Sequence, residues 1–410
     1  MNWRVAFCAF ALLAITIAGP AAAQTQPRIL TLTESFDLAE RQNLDLQAAR
    51  VQRAVALAGV RIAGQRPNPT AFFSAARDTP HESLFFDQPL EIGGRRGKRI
   101  EVAKQESAAT EASIIGLTRQ LRRDVRVAYF TLAFAHGVTA QKVEAAQLAA
   151  RLKEIAQARF ESGDIAQLEV TQATLEFSRA NAEAQAAKRE EEIALSELNV
   201  LLNAPASASW DLATGLDGLP PLLNLESLQA KATDSNPEIV QLLQEAKAEE
   251  SRTGLLKAER IPNLGVEFGV DFNSPGQGGF REGGRGQLSM ELPIFTRNQG
   301  EIAQSNAKLR ALQQETAAKR RAVAGRVEGA YYQLTSREAE VNLYKQTLVP
   351  STKQLEDLAE ESYKSGKANI LTVLGAQRDV QQVESQYLNS LLAMQTSFAD
   401  LEETTGAPLD

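Results

Sequence analysis

The chain carries one pattern twice, at a separation no small structural repeat reaches. Phe160-Glu161-Ser162-Gly163 is answered by Tyr363-Lys364-Ser365-Gly366, and Ala204-Pro205 by Ala407-Pro408, each 203 residues further on. Upstream, Ala128-Tyr129-Phe130 is answered by Ala330-Tyr331-Tyr332, and Leu32 with Asn43 by Leu225 with Asn236. Solenoid repeats recur every ~20–50 residues. The far longer period here indicates a duplicated domain, whose halves are expected to occupy equivalent positions in one structure.

Each half reads in the same order: a short helix, a helix, two strand-like segments, a very long helix, a sharp break and another long helix. The first repeat is expected over 24–204 with its strand hairpin at 70–92, and the second over 225–410 with its hairpin at 263–294, joined by a linker at 205–224. Ser235-Asn236-Pro237-Glu238 has the Ser-x-x-Glu spacing of a capping box with proline in the first turn, so a helix is expected to start there. Pro67-Asn68-Pro69 and Pro262-Asn263 end the helices before the strands, because proline lacks a backbone donor and disfavours helix in the residue before it.

The long helices are expected over 98–160 and 300–363, with Pro350 the one proline inside either interval. At 1.5 Å per residue, ~60 residues give a rod of about 90–100 Å, which no compact domain can house. The last helix carries Ile370, Val373, Val380, Tyr387, Leu391, Met394, Phe398 and Leu401 at three–four spacing, the seam of a coiled-coil-like contact. Its other faces are rich in Ala, Gln and Glu, which suits a thin helical wall better than a thick core.

The strand segments alternate. Leu264, Val266, Phe268, Val270 and Phe272 are separated by Gly265, Glu267, Gly269 and Asp271, and Leu288, Met290, Leu292 and Ile294 by polar residues and Pro293. This period of two marks strands with one apolar and one polar face. Between them, 273–285 is glycine-rich and reads as a mobile loop, while 70–77 and 83–92 in the first half alternate more weakly. Nine to eleven residues is the length of a tilted transmembrane β-strand.

The N-terminus reads as an address. Arg4, an apolar run over 5–18 and Ala21-Ala22-Ala23 form the three parts of a secretory signal, expected to occupy 1–23. The single cysteine, Cys8, lies inside it, so no disulfide is expected, and the residues before Cys8 lack the small side chains of a lipid-modification site. A formal net charge of −7 argues against a general nucleic-acid binder. The two histidines, His81 and His136, fall in different elements, a loop and a helix surface, which excludes a thiolate or histidine-rich metal cage. Gly93-Gly94-Arg95-Arg96-Gly97-Lys98 superficially suggests a phosphate loop, but it is one residue short and has Arg99 where Ser or Thr is required. It reads instead as a strand-to-helix turn with basic residues at a membrane boundary. No nucleophile–base pair or acidic dyad stands out, so neither an enzyme nor a bound cofactor is expected.

Four strands cannot close a sheet, and an open edge in hydrocarbon would leave backbone groups unpaired. The chain is therefore expected to pool its strands with those of other copies, three of which would give a twelve-stranded barrel. At this point Gln88-Pro89-Leu90-Glu91-Ile92-Gly93-Gly94-Arg95-Arg96 resembles the signature after the second strand of TolC-like outer-membrane efflux proteins, in particular the branch associated with cobalt–zinc–cadmium and copper–silver export. Leu292-Pro293-Ile294-Phe295-Thr296-Arg297-Asn298-Gln299-Gly300 is similar to its second-repeat counterpart, and Asn236-Pro237-Glu238-Ile239 to the family's helix start. The resemblance implies a mainly α chain with a small β-barrel contribution: duplicated long-helix hairpins forming a tunnel, and a homotrimeric channel in outer-membrane lipid. It also implies a periplasmic adaptor (membrane fusion) protein and an inner-membrane RND-type pump as partners. Export of drugs or of proteins by a type I system is the alternative within the class. A secreted coiled-coil structural protein is the alternative outside it, and the paired alternating strands argue against that.

The resemblance also places the periplasmic tips, which close the tunnel and meet the adaptor, at Phe160, Glu161, Gly163 and Asp164 and at Tyr363, Lys364, Gly366 and Lys367. Family members carry aspartates a few residues beyond the second glycine, where this chain has Thr372 and Gly375. Glu169 holds the matching place in the first repeat. It is expected either to form a single acidic ring at the constriction or to stand outward in solvent. Equivalent tip positions carry opposite charges, Glu161 against Lys364 and Asp164 against Lys367.

Overall fold

In the computed structural model, residues 28–77, 80–219, 224–272, 283–365 and 367–409 are described. The expected secretory signal lies outside them. In chain order the elements of the first half are β1 (Arg28–Leu30), α1 (Leu32–Gln42), α2 (Leu44–Ala63), β2 (Thr70–Ala75), β3 (Glu82–Leu90), α3 (Arg95–Glu161), α4 (Gln167–Leu202) and β4 (Trp210–Leu212). The second half supplies α5 (Leu225–Ser235), α6 (Pro237–Ala258), β5 (Leu264–Phe272), β6 (Gly283–Met290), α7 (Gln299–Leu343), a π-turn (Tyr344–Leu348), α8 (Val349–Lys364) and α9 (Ile370–Thr405).

The helix starts show why the two halves share particular residues. Thr31 caps α1 in a complete capping box, its hydroxyl accepting from Glu34 N at 3.2 Å while the Glu34 carboxylate accepts from Thr31 N at 3.0 Å. Asn43 and Asn236 each do three jobs at equivalent places. Their amides close α1 and α5, their side-chain oxygens accept from Leu46 N and Glu238 N to open α2 and α6, and their side-chain nitrogens donate to Leu201 O at 3.2 Å and Thr404 O at 2.8 Å. Each asparagine thus pins the start of its repeat to the end of the same repeat. The cap of α6 is therefore Asn236 and not Ser235, which remains in the last turn of α5 and donates to Lys231 O.

The rods are as long as the sequence requires. α3 runs 67 residues without interruption, about 100 Å, and starts three residues before the expected Lys98. Its second-repeat counterpart is not one α-helix, as the reading of 300–363 had it. Pro350 has no amide hydrogen and its ring would crowd the carbonyl four residues back. The helix widens just ahead of it, and Val349 N reaches Tyr344 O in a π-turn. Of the seam expected on α9, Ile370, Val373, Val380, Leu391, Met394, Phe398 and Leu401 are buried, and Tyr387 is partly so.

Burial is spread over three modest clusters strung along the rods. One surrounds Tyr129, Phe130 and Leu198 in the first repeat, one surrounds Leu334, Phe398 and Leu401 in the second, and one surrounds Tyr363 at the far end. A parallel pair of three-residue strands, β1 and β4, crosses the first cluster. Strands this short carry no readable periodicity, and the sequence did not announce them. The repeats are joined by a buried ion cluster: Arg122 of α3 meets Glu402 of α9 at 2.9 Å, and Arg126 meets it at 3.4 Å. The Arg126 guanidinium lies 4.5 Å from the Phe398 ring centre, and that of Arg122 lies 4.0 Å from the centre of Phe36.

The strands form one four-stranded antiparallel sheet in the order β2-β3-β5-β6, so the two hairpins lie side by side through β3 and β5. β6 is displaced from its expected place. It begins at Gly283, inside the stretch read as a loop, and ends at Met290, short of Leu292 and Ile294. Pro293 cannot donate to a ladder, and the glycines of 283–286 pair despite lacking side chains because β5 offers them a complete row of backbone partners.

Candidate functional site

The sheet register divides most of its residues between an apolar and a charged face, with Phe72 and Phe85 on the charged side and Glu82 on the apolar side as exceptions. Residues directly opposite one another share a face, and successive residues alternate. One face carries Phe73, Leu84, Phe86, Phe268, Val270 and Leu288, with Phe86 and Phe268 stacked at 5.8 Å. Phe73 and Leu288 are about 70% exposed, at 69% and 70%. The other face carries Asp87, Glu267, Asp271, Ser83 and Arg285. There Ser83 donates to Asp271 at 2.8 Å, and Arg285 sits 3.5 Å from Glu267 and 4.2 Å from the centre of the buried Phe85 ring. Phe85 lies opposite Gly269, where a Cβ would run into both the Leu84 carbonyl and the Phe85 ring. Among the described residues, the outer edges of β2 and β6 have no strand partner.

Below the sheet, Glu91-Ile92-Gly93-Gly94-Arg95-Arg96 acquires a structural explanation. Gly93 and Gly94 have φ of +75° and +74°, and a Cβ on Gly93 would stand 2.6 Å from Ile261. This double left-handed turn sends the chain from β3 into α3 and aims three arginines at the C-terminal ends of α2 and α6. Arg95 donates to the carbonyls of Ala258, Glu259 and Ile261 and to Asn263 Oδ1. Arg96 donates to Gly64 O at 2.6 Å, and Arg99 donates to Ala63 O and Gln65 O while pairing with Glu91. Guanidinium charge at a helix C-terminus satisfies orphan carbonyls and complements the macrodipole. The motif is therefore a clamp between sheet and rods rather than the nucleotide-phosphate loop its glycines superficially suggest.

The opposite end of the rods holds the expected tip residues. Phe160 and Glu161 finish α3, and Gly163 turns the chain at φ +83°, with Asp164 N returning to Arg159 O at 2.9 Å. Glu161 accepts from Gln157 at 2.9 Å. In the second tip Lys367 N and Ala368 N both return to Ser362 O. Gly366 and the Lys364 side chain lie outside the described residues, so the two turns are compared only in part. The aromatic pair is not equivalent: Phe160 is 36% exposed, whereas Tyr363 is 4% exposed. Tyr363 packs with Leu152 and Ala156 of α3, Ala173 of α4 and Ile370 of α9, and Arg159 lies 5.3 Å from its ring centre. Glu169 and Thr372 both occupy the third position of their helices. Thr372 is exposed and gives its amide and its hydroxyl to Asn369, each at 3.1 Å, while Glu169 is a half-buried acid in the first turn of α4. Among the described residues, no ion pair joins Glu161 or Asp164 to Lys367 within one chain.

Two features near the tip were not read from the sequence. Arg378 of α9 reaches Glu176 of α4 at 2.8 Å, tying the two hairpins together. Opposite charges in matching stretches of α4 and α9 were the available signal. The second is acidic. Burial, then the carboxylates of Glu384, Asp357 and Glu144, push Glu356 of α8 above the ordinary carboxylate value, with Lys353 opposing. The folded state therefore holds this proton more tightly than the unfolded chain. The cost of keeping Glu356 charged is absent below its ordinary value of 4.5 and grows as pH rises through the higher folded value. Glu356→Gln is expected to raise the thermal midpoint at about pH 7–8 and to leave it unchanged near pH 4. Melting curves of both proteins across that range check this, and an equal shift at every pH would refute it.

Of the two histidines, His81 lies in the β2–β3 turn, and His136 is exposed on α3, 2.9 Å from Glu191. No group of three or more potential metal ligands occurs among the described residues, and no described helix is long and apolar enough to cross a membrane.

The family model described as outer membrane efflux protein matches residues 36–204 and 228–407. The cobalt-zinc-cadmium resistance protein CzcC of Cupriavidus metallidurans is 27% identical over 88% of this chain and 86% of its own length. The nickel-cobalt-cadmium resistance protein NccC of Alcaligenes xylosoxydans xylosoxydans is 27% identical over 77% of this chain and 74% of its own. Among solved structures, a membrane protein from Pseudomonas aeruginosa superposes with a TM-score of 0.78 at 19% identity, over 91% of this chain and 92% of that one.

Proposed function

Because the chain belongs to the outer membrane efflux protein family, we propose that it is the exit duct of a three-part export machine whose cargo is heavy-metal cations. It is an outer-membrane efflux channel with a periplasmic helical body. The observation that carries the fuller reading is the two-faced sheet with both edges open. An apolar face suits lipid, a charged face suits a water-filled lumen, and open edges in hydrocarbon demand partners. Three copies pooling four strands each satisfy that demand and set six helical hairpins around one axis. The cargo is supported by the two relatives named for cobalt, zinc, cadmium and nickel resistance. The channel needs no tight metal site, since a duct that held its cargo firmly would not release it.

In this reading an RND-type pump supplies the cations, and a periplasmic adaptor docks on the tips formed by Phe160, Glu161, Gly163 and Asp164 and by Tyr363, Lys364, Gly366 and Lys367. Glu169 contributes one carboxylate per chain to the constriction, at the level where Thr372 stands in the other repeat. Around a trimer, tips bearing Glu161 and Asp164 alternate with tips bearing Lys364 and Lys367, and their attraction favours closure. Each exposed pair contributes only ~0–1 kcal/mol, so closure rests on several together and weakens with salt.

Deleting the gene is expected to lower tolerance to cobalt, zinc and cadmium, with rescue by the intact chain. Unchanged metal tolerance together with new sensitivity to organic drugs would overturn the cargo assignment. Reversing Lys364 and Lys367 to Glu is expected to raise single-channel conductance at low salt, and adding Glu161→Lys with Asp164→Lys to restore closure. Conductance indifferent to both changes would remove the tip charges from gating.

A further inference from the structure

The junction clamp uses its arginines unevenly. Arg95 and Arg99 are committed to helix-end carbonyls, Asn263 and Glu91. Arg66 makes no side-chain hydrogen bond or ion pair among the described residues, and Arg96 uses only its Nε, on Gly64 O. These two arginines line one cavity of about 530 Å³, together with Leu90, Pro67, Gln88 and Glu91. The Glu91 charge is already neutralised by Arg99. The Gln88 amide is already given to Pro67 O and Pro89 O. What the cavity has left to offer is positive charge beside an apolar wall.

Its level in the molecule says what meets it. The cavity lies where β3 leaves the sheet and the rods begin. At that level Leu90, Ile92, Leu292, Ile294 and Phe295 are exposed, Phe295 by 92%. Exposed aliphatic and aromatic side chains just beyond strand ends, followed at once by arginines, mark the boundary between hydrocarbon and headgroups. In an outer-membrane channel whose helices lie in the periplasm, that boundary belongs to the periplasmic leaflet. A guanidinium pair with unspent donors recognises a phosphate oxygen bidentately, and a neighbouring apolar wall accepts the first methylenes of an acyl chain.

We propose that Arg66 and Arg96 form a headgroup site for an anionic phospholipid of the periplasmic leaflet, one per chain. The purified full-length protein in detergent, titrated with phosphatidylglycerol and separately with phosphatidylcholine and inorganic phosphate, tests it by native mass spectrometry. Phosphatidylglycerol is expected to bind the wild-type protein, and Arg66→Gln to weaken that binding about tenfold, the loss of one charge-assisted contact. Arg66 caps no helix, so this variant is expected to fold and assemble normally, which circular dichroism and the assembled mass verify. Arg66→Lys, which keeps the charge but not the fork, should fall between the two. Equal affinity for phosphatidylcholine, or full competition by inorganic phosphate at equal concentration, would overturn the lipid assignment. So would an Arg66→Gln loss of assembly that is the same in every lipid, which would mean that a neighbouring copy fills the cavity.

Discussion

Replacing Glu402 with Gln is expected to destabilise the folded chain by about 3–5 kcal/mol, because it removes the carboxylate that two guanidiniums share at a buried junction. The Arg126 and Glu402 side chains are only 3% and 6% exposed, and Arg122 shares the same carboxylate at 17%. A neutral amide keeps the shape and part of the hydrogen bonding but removes the charge that made burial of the arginines tolerable. The neighbouring Arg123 provides the control. It pairs with Asp124 and Asp400, both at 2.9 Å, but is one-third exposed, so Arg123→Ala is expected to cost ~0–1 kcal/mol. Chemical denaturation followed by the helical signal compares them, and equal costs would show that burial is not the deciding factor. Replacing all three charged residues at once, Arg122→Met with Arg126→Met and Glu402→Leu, is expected to recover most of the stability.

Gly269→Val is expected to abolish the assembled channel. The new side chain would start inside the Leu84 carbonyl and the Phe85 ring, on the ladder that joins the two hairpins. Relief requires β3 and β5 to part or Phe85 to leave its place under Arg285, at about 3 kcal/mol. Gly286→Val in the same sheet is the informative comparison. It faces the apolar side opposite Phe268, its nearest neighbour for a new Cβ is 4.0 Å away, and its effect is expected to stay within about 0.5 kcal/mol. Recovery of heat-resistant oligomer from outer-membrane fractions distinguishes the two. Normal yields of Gly269→Val would show that the β3–β5 contact is dispensable.

The features legible in the sequence were those with a period or a fixed spacing. The 203-residue offset pairs Glu169 with Thr372 at the same helical position, and the seam from Ile370 to Leu401 follows from three–four spacing alone. The alternation over 264–272 is the strand β5. Features that depend on a distant partner were not legible. Nothing near Glu402 in sequence announces Arg122, since the two lie 280 residues apart. The start of β6 was misplaced because a glycine run has no periodicity to read, and its pairing is dictated by β5. The arginines after Gly94 were read correctly as a basic turn, but their targets are carbonyls of two helices that only the fold brings together. At the tip, the repeat predicts the equivalence of Phe160 and Tyr363 but not their different burial. That difference arises because only Tyr363 meets α3, α4 and α9 together.

The position of the Glu402 junction along the rods turns each chain into a lever. On one side the arginine clamp and the paired asparagines fix helix ends to one another, leaving little freedom. On the other side, α3 runs from Arg126 to Glu161 without a buried ionic tie of that kind among the described residues. At 1.5 Å per residue this free arm is on the order of 50 Å, so a bend of only ~5° at its root moves its end by about 4–5 Å. The arm built by α7 and α8 differs in having the π-turn part-way along it, where one backbone register is already displaced. A force applied at the far end is therefore amplified in displacement but delivered to unlike springs. Of the two kinds of hairpin, the second is expected to yield first.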